Sequence, residues 1–145
     1  MYKCYKTSGK SHPAKDTCLR NFSIFIRLRD AIKTTNTFDY ARCVTCGEIF
    51  PTSGMDAGHG IPGRKNAVLL DEELVFAQCR YCNRGKGGET QAFKKYLVDL
   101  HGEAWYDEKE DGKSSYKKYT DDDYRAMNEG YLAKIKIMKL THRYG

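Results

Sequence analysis

Apolar positions recur every three or four residues in three stretches of the chain, and between the first two the pattern gives way to short runs broken by glycine and proline. From Leu19 the apolar side reads Leu19, Phe22, Ile26 and then Arg29/Asp30, widened by Phe25 and Ile32. That spacing predicts a helix of about four turns with one core-facing side. Asp16 or Thr17 can cap it, and the turn-prone Thr34-Thr35-Asn36 should end it. The polar, Lys-rich residues before it, with Pro13, read as an irregular arm. A second helix is predicted over Thr90 to Leu100, with Ala92, Phe93, Tyr96, Leu97 and Leu100 on one side and Gly102 as its stop. The third places Tyr124, Met127, Tyr131, Ile135 and Met138 at spacings of four, three, four and three. Thr120 and Asp123 before it resemble a capping box with Asp in place of Glu. Residues 103–119 are polar around Trp105-Tyr106, and their pattern assigns them no element.

Residues 40–88 read differently. Tyr40 to Val44 is strand-like, Thr45-Cys46-Gly47 is a tight turn, and Glu48-Ile49-Phe50 returns. Pro51 and Gly54 break the chain, and Met55 to Gly60 forms a short second strand that leads into the turn Ile61-Pro62-Gly63. Ala67 to Phe76 holds a short apolar piece and the acidic Asp71-Glu72-Glu73; Ala77 to Cys82 then runs into the glycine-rich Asn83 to Gly88. The fold class is α+β. At 145 residues the expectation is one domain with helical extensions. It divides into an N-terminal arm (1–18), a basic helix and lead-in (19–42), a metal-bound core (43–100) and a C-terminal helical extension (101–145). No apolar run approaches the ~18 residues of a membrane span. The residues after Met1 lack the apolar core of a signal peptide.

Charge changes this picture by where it sits. The net charge is +6, and residues 1–42 alone carry nine Lys/Arg against three Asp/Glu. Residues 43–100 carry seven of each, residues 101–130 five basic and nine acidic, and residues 131–145 four basic and none acidic. Both ends are basic around a balanced centre, which suits a polyanion partner such as DNA.

The six cysteines narrow the chemistry further. Cys43-x2-Cys46 and Cys79-x2-Cys82 put four thiolates on two tight turns, the donor set and spacing of a structural zinc site. A redox role is the competing reading, but neither pair opens a helix after a buried strand. Cys4 and Cys18, with His12 between them, can join a second metal, pair with each other or stay free; free thiols are favoured in a reducing compartment.

The insert between the pairs contains Asp56-Ala57-Gly58-His59-Gly60, and Asn83 follows the second pair directly. Knuckles at both ends of the insert bring His59 and Asn83 toward each other. A neutral His59 can take a proton from water. Asp56 and the Asn83 carbonyl offer the hard oxygens that Mg²⁺ or Mn²⁺ prefers. A histidine in a glycine-flanked turn can equally be a surface residue, and Asn83 can simply turn the chain. Arg84 and Lys86 on the glycine-rich loop are candidate phosphate contacts.

These residues carry a family resemblance. The run Phe22 to Ala31 looks like the helix that precedes the zinc region of the phage NinG/Rap recombination nucleases. Arg42-Cys43-Val44-Thr45-Cys46-Gly47, Ala57-Gly58-His59 and Gln78-Cys79-Arg80-Tyr81-Cys82-Asn83 follow in that family's order, so the likeness covers about residues 19–100. The family is similar to HNH, or ββα-metal, endonucleases. The resemblance implies a small zinc-stabilised HNH core between an N-terminal helix and a C-terminal helical extension. It implies hydrolysis of branched recombination intermediates, Holliday junctions or D-loops, with Mg²⁺ or Mn²⁺. Cys43, Cys46, Cys79 and Cys82 match the zinc ligands, His59 the general base, and Asn83 the last metal-ligating position. Gly58 stands where many HNH enzymes have Asp, so Asp56 is the candidate to replace that ligand. The motif's middle Asn is absent; Leu74 stands near its place, and Asp71 is a candidate tether for the loop. Arg27, Arg29, Arg42, Lys134, Lys136 and Lys139 are candidates for holding the duplex arms. Symmetric cutting of a junction needs two sites, hence an expected homodimer. The apolar stripe of the last helix is either the dimer surface or packing for its own domain. Other recombination proteins are expected partners, and the compartment is the cytoplasm of a bacterial host. The alternative is a zinc-containing DNA-binding accessory protein without nuclease activity.

Overall fold

The computed structural model describes residues 12–63 and 65–144, with side chains through His142. The first helix, α1, runs Pro13–Thr35 and so starts six residues before Leu19. Pro13 is the reason. At the first helical position proline loses no hydrogen bond, and its fixed φ suits the helix, so it opens α1 where the sequence reading took it as part of an arm. Asp16 then sits in the first turn, beside the positive helix end. Asn36 closes the helix in the left-handed region at φ 57°, its N–H reaching the Ile32 carbonyl.

Cys18, Phe22, Phe25 and Ile26 on α1 are buried against Tyr124, Tyr131 and Ile135 of the last helix, α5 (Asp121–Tyr144). The Tyr131 ring lies 5.0 Å from that of Phe22 and 6.0 Å from that of Phe25. Such ring pairs add ~0.5–1.5 kcal/mol beyond the area they bury. The α5 stripe is therefore used inside the chain and is not available as a dimer surface. At the start of α5 the capping box is complete. The Thr120 N–H donates to Asp123 Oδ2 at 2.8 Å, and the Asp123 N–H to Thr120 Oγ1 at 3.2 Å.

Four short strands follow α1: β1 (Tyr40–Arg42), β2 (Ile49–Pro51), β3 (Met55–His59) and β4 (Val75–Cys79). They form two antiparallel pairs, β1 with β2 and β3 with β4. In the second pair Asp56 faces Gln78, Gly58 faces Phe76 and His59 faces Val75. Every residue of β4 is buried. A short helix α2 (Asn66–Leu69) lies in the β3–β4 connection, and a helical turn, Tyr81–Gly85, follows β4, giving strand, strand, helix in the order of a ββα core. Helices α3 (Thr90–His101) and α4 (Glu103–Gly112) pack beyond it through Phe93, Leu97 and Tyr106. The α4 helix, unassigned by pattern, turns Trp105, Tyr106 and Lys109 inward; Lys109 lies over the Trp105 ring and pairs with Asp71, so a charged residue occupies a core-facing position.

Two residues bolt α1 to β4. Buried Asp30 accepts the Ala77 N–H at 2.7 Å. Arg29 donates to Asp30 Oδ1 and to the carbonyls of Glu72 and Val75, each at 2.8 Å, with its guanidinium over the Phe76 ring. Arg29, expected to hold DNA, is thus spent on the fold. Among the described residues no helix is long and apolar enough to cross a membrane.

Candidate zinc centre and active-site cavity

Cys43 follows β1, Cys46 closes the turn before Gly47, Cys79 ends β4 and Cys82 lies in the helical turn. The second pair therefore does open a helical turn after a buried strand, contrary to the expectation from pattern; what speaks for a metal is that the two pairs converge. Gly47 adopts φ 76°, a conformation glycine takes without strain, and its N–H donates to the Cys43 carbonyl at 3.0 Å. The four sulfurs all lie within 4.8 Å of one another. Zinc–sulfur bonds of about 2.3 Å at tetrahedral angles need sulfurs about 3.8 Å apart, so the cluster fits a zinc ion after a small contraction. Backbone N–H groups already point at the sulfurs, from Cys79 to Cys43 Sγ at 3.3 Å and from Cys82 to Cys79 Sγ at 3.4 Å. Burial pushes the Cys43 thiol up, but the N–H groups of Cys46, Cys79 and Thr45 and the Thr45 hydroxyl outweigh it and lower it to about 6. Burial and the neighbouring sulfurs push Cys79 up to about 12, against the pull of the Cys82 N–H. Cys18 is elsewhere, a free thiol fully buried between α1 and α5. Cys4 lies outside the described residues.

His59 is half-buried at the end of β3, where its Nε2 lies 3.0 Å from the Leu69 carbonyl. A carbonyl only accepts, so in the neutral ring Nε2 carries the proton and Nδ1 is the basic nitrogen. His59 and Asn83 open onto one cavity of about 700 Å³. The first turn of α1, through Lys15 and Asp16, and its N-cap His12 line the same cavity. The sequence pattern places His12 beside Cys4 and Cys18 and Asp16 at a helix cap, and neither reading brings them or Lys15 to His59; the earlier start of α1 at Pro13 does.

Asp56 does not line this cavity. It stands three residues before His59, and an odd separation puts two side chains on opposite faces of a strand. Its Oδ2 accepts from Asn83 Nδ2 at 2.9 Å and from Arg84 Nε at 2.8 Å, and its Oδ1 accepts from Arg84 Nη2 at 2.8 Å. Arg80 adds a longer contact at 3.9 Å. The structure therefore joins Asp56 to Asn83, and Asn83 to the cavity of His59, but it does not place Asp56 in that cavity as a ligand.

Gly58 has a steric cause. A Cβ there would meet Gln78 Oε1 at 2.2 Å. Gln78 is fully buried, and its Nε2 donates to Thr45 Oγ1 at 3.0 Å and to the Gly88 carbonyl at 2.8 Å. It links the first zinc knuckle to the glycine loop on the cavity wall, and the room it takes excludes any side chain before His59. Gly58→Ala is expected to lower stability by about 1–3 kcal/mol, the usual cost of forcing an extra group into a packed site. Urea unfolding of the zinc-loaded protein checks this, and an unchanged midpoint would show that Gln78 moves aside freely.

The β3–β4 connection that carries Leu69 is held where the motif's middle Asn is absent. Asp71 accepts the Glu73 N–H at 3.0 Å and pairs with Lys109 of α4 at 2.8 Å. Burial works against the Lys109 charge, but Asp71 outweighs it and leaves that ammonium raised. Lys109, which no local pattern singled out, is thus the side chain that pairs with Asp71, the tether candidate.

The other basic candidates divide. Arg27 donates to the Ser23 and Thr52 carbonyls at 3.2 and 3.4 Å, and Lys134 pairs with Glu72 over the Phe25 ring. Arg42 reaches the Gly47 carbonyl, and Lys86 pairs with Glu89 at 3.5 Å, both from exposed positions. Lys136 and Lys139 are exposed and make no ion pair among the described residues.

No curated protein and no solved structure matches the chain significantly. The profile of the family described as Bacteriophage Lambda NinG protein matches residues 3–141, which takes in the helix α1, the cysteine cluster, His59, Asn83 and nearly all of α5. With almost the whole chain matched, the protein belongs to the NinG family.

Proposed function

We propose that this chain is a structure-specific DNA endonuclease that cleaves branched recombination intermediates, Holliday junctions or D-loops, by metal-dependent phosphodiester hydrolysis. The observation that carries the reading is His59, fixed through Nε2 by the Leu69 carbonyl, opening onto one cavity with Asn83. Membership of the NinG family and a cluster able to hold a metal support a metal-dependent nuclease in general.

Asn83 offers the cavity an oxygen donor of the kind a hard cation takes. Asn83 spends its N–H on Asp56 and has its carbonyl oxygen left, the kind of ligand Mg²⁺ or Mn²⁺ takes. Such an ion, when bound, would polarise the phosphate and stabilise charge on the leaving oxygen. His59 Nδ1 takes a proton as water attacks phosphorus, and the Leu69 carbonyl stabilises the imidazolium that forms. The P–O3′ bond breaks and the leaving oxygen is reprotonated, giving a 5′-phosphate and a 3′-hydroxyl. Lys15 and Lys86 flank the cavity and its loop as phosphate contacts, and Lys136 and Lys139 suit a more distant duplex arm. Two cuts in one junction need two such sites, hence a homodimer whose interface lies away from the α1–α5 seam.

The test is direct. Zinc-loaded protein is incubated with end-labelled four-way junction, D-loop and linear duplex of matched sequence, in Mg²⁺, Mn²⁺ or Ca²⁺. Cleavage of the branched substrates in Mg²⁺ or Mn²⁺, with 5′-phosphate ends, is the expected result. Tight binding without cleavage in any of these ions would favour the non-catalytic accessory protein and remove the nuclease reading.

A further inference from the structure

Resting on that reading, we propose that Asp56 is a positioning residue: held by Arg84, it fixes the side-chain amide of Asn83 so that the carbonyl oxygen, and not the NH2 group, is presented to a metal. An asparagine amide has two orientations of nearly equal shape, related by a half-turn about its last bond. Only one is of use to a cation, because the other presents hydrogen-bond donors. Here the choice is made by charge. Asp56 Oδ2 accepts from Asn83 Nδ2 at 2.9 Å. Turning the amide over would set two oxygens, one of them anionic, against each other at that distance. The carboxylate cannot rotate to relieve this, because Arg84 grips both of its oxygens at 2.8 Å. That two-point grip fixes the plane of the carboxylate as well as its position. Asn83 Oδ1 accepts no hydrogen bond among the described residues, as a group kept for a ligand should.

The same contacts explain why an acid stands at 56 although it does not reach the cavity. Asp56 on β3 ties Asn83, one residue past the last cysteine, to the strand that carries His59. The general base and the metal-facing oxygen are thereby held to one strand. Arg84 then works inside the site as the carboxylate's clamp.

A double-mutant cycle on zinc-loaded protein separates positioning from ligation. Mn²⁺ affinity is read by electron paramagnetic resonance, which does not see zinc. Asp56→Ala should weaken Mn²⁺ binding by about 10–100-fold, as loss of a partner that orients a ligand usually does. In an Asn83→Asp background both ligand atoms are oxygen and orientation no longer matters. There Asp56→Ala should cost nothing, or improve binding by removing a like charge. An equal loss in both backgrounds would make Asp56 a ligand and overturn the proposal, as would no loss in either. A second readout needs no metal. In nuclear magnetic resonance spectra the two Asn83 amide protons should be split more widely than in a free carboxamide, one of them protected from exchange; in Asp56→Ala and in the milder Arg84→Gln the splitting should return to that of a free carboxamide and the protection should vanish. A mobile Asn83 amide in the unsubstituted protein overturns the proposal even if Mn²⁺ binds. A fixed amide in a protein that binds no Mn²⁺ supports the orientation and instead refutes the catalytic metal.

Discussion

His59→Ala is expected to slow junction cleavage by about 10²–10⁴-fold, the range that a positioned general base contributes. Binding of the same junction should be unchanged, because the imidazole is half-buried at the end of β3 with its Nε2 on the Leu69 carbonyl. The fold should survive as well. Leu69 is only partly buried, so water can replace the ring at its carbonyl. The zinc ligands are on other elements. A single-turnover assay beside a gel-shift titration and a zinc determination checks all three. Equal cleavage by both proteins would take His59 out of the mechanism. Lost cleavage together with lost zinc would show that the residue serves the fold. His59→Gln is the sharper variant, since its amide can keep the bond to Leu69 but cannot take the proton.

Some of this site was legible in the chain, and the reasons differ from residue to residue. The cysteines declared themselves by spacing, because two knuckles around one ion need pairs two residues apart. The stripe from Tyr124 to Met138 was legible because a helix repeats its core contacts locally. Which surface that stripe covers was not, since α1 lies about a hundred residues earlier. Arg29 misled for the same reason. On a helix an arginine beside polar neighbours reads as basic surface, yet its acceptors are carbonyls 43 and 46 residues away. The hold on His59 comes from a main-chain oxygen, and no side-chain pattern marks that. Lys109 is the hardest case. It pairs with Asp71, the candidate tether of the β3–β4 loop, from a helix 38 residues further on whose inward face is partly charged and so shows no apolar period. Chemistry confined to neighbours in sequence could be read; bonds that close long loops could not.

Removing zinc should have the larger effect on the molecule. Cys43, Cys79 and Cys82 are buried with Ala31, Ala41, Met55 and Ala77 in a small cluster, and beside it the first knuckle is hydrogen-bonded to β4 by the Val44 N–H to the Ala77 carbonyl and by Gln78 to Thr45. Each pair of strands has only two members, an arrangement that is marginal in water by itself. Structural zinc contributes about 10–16 kcal/mol in finger peptides at neutral pH, against a total stability of about 5–15 kcal/mol for an ordinary domain. Without the ion, residues of the 40–90 segment should lose their packing while α1 and α5, joined by Phe22, Phe25 and Tyr131, keep helicity. A strong chelator, or Cys79→Ser, should therefore expose that segment to protease, with the far-ultraviolet helix signal and the near-ultraviolet signal of the packed Tyr131 largely retained. The pH dependence has a definite sign. Zinc binds thiolates, so it must displace the protons of thiols such as Cys79, held up to about 12, whereas Cys43, lowered to about 6, is already ionised at neutral pH. Acid adds protons that compete with the ion, so zinc affinity falls as pH falls and drops more steeply once Cys43 too is protonated, below about 6. In a zinc-buffered solution the melting temperature should decline from pH 7 to pH 5, and the decline should disappear in Cys79→Ser. A chelated protein that melts where the zinc form does would mean that the hydrophobic clusters alone hold the core, and that the four sulfurs are not what keeps Asn83, next to Cys82, in its place.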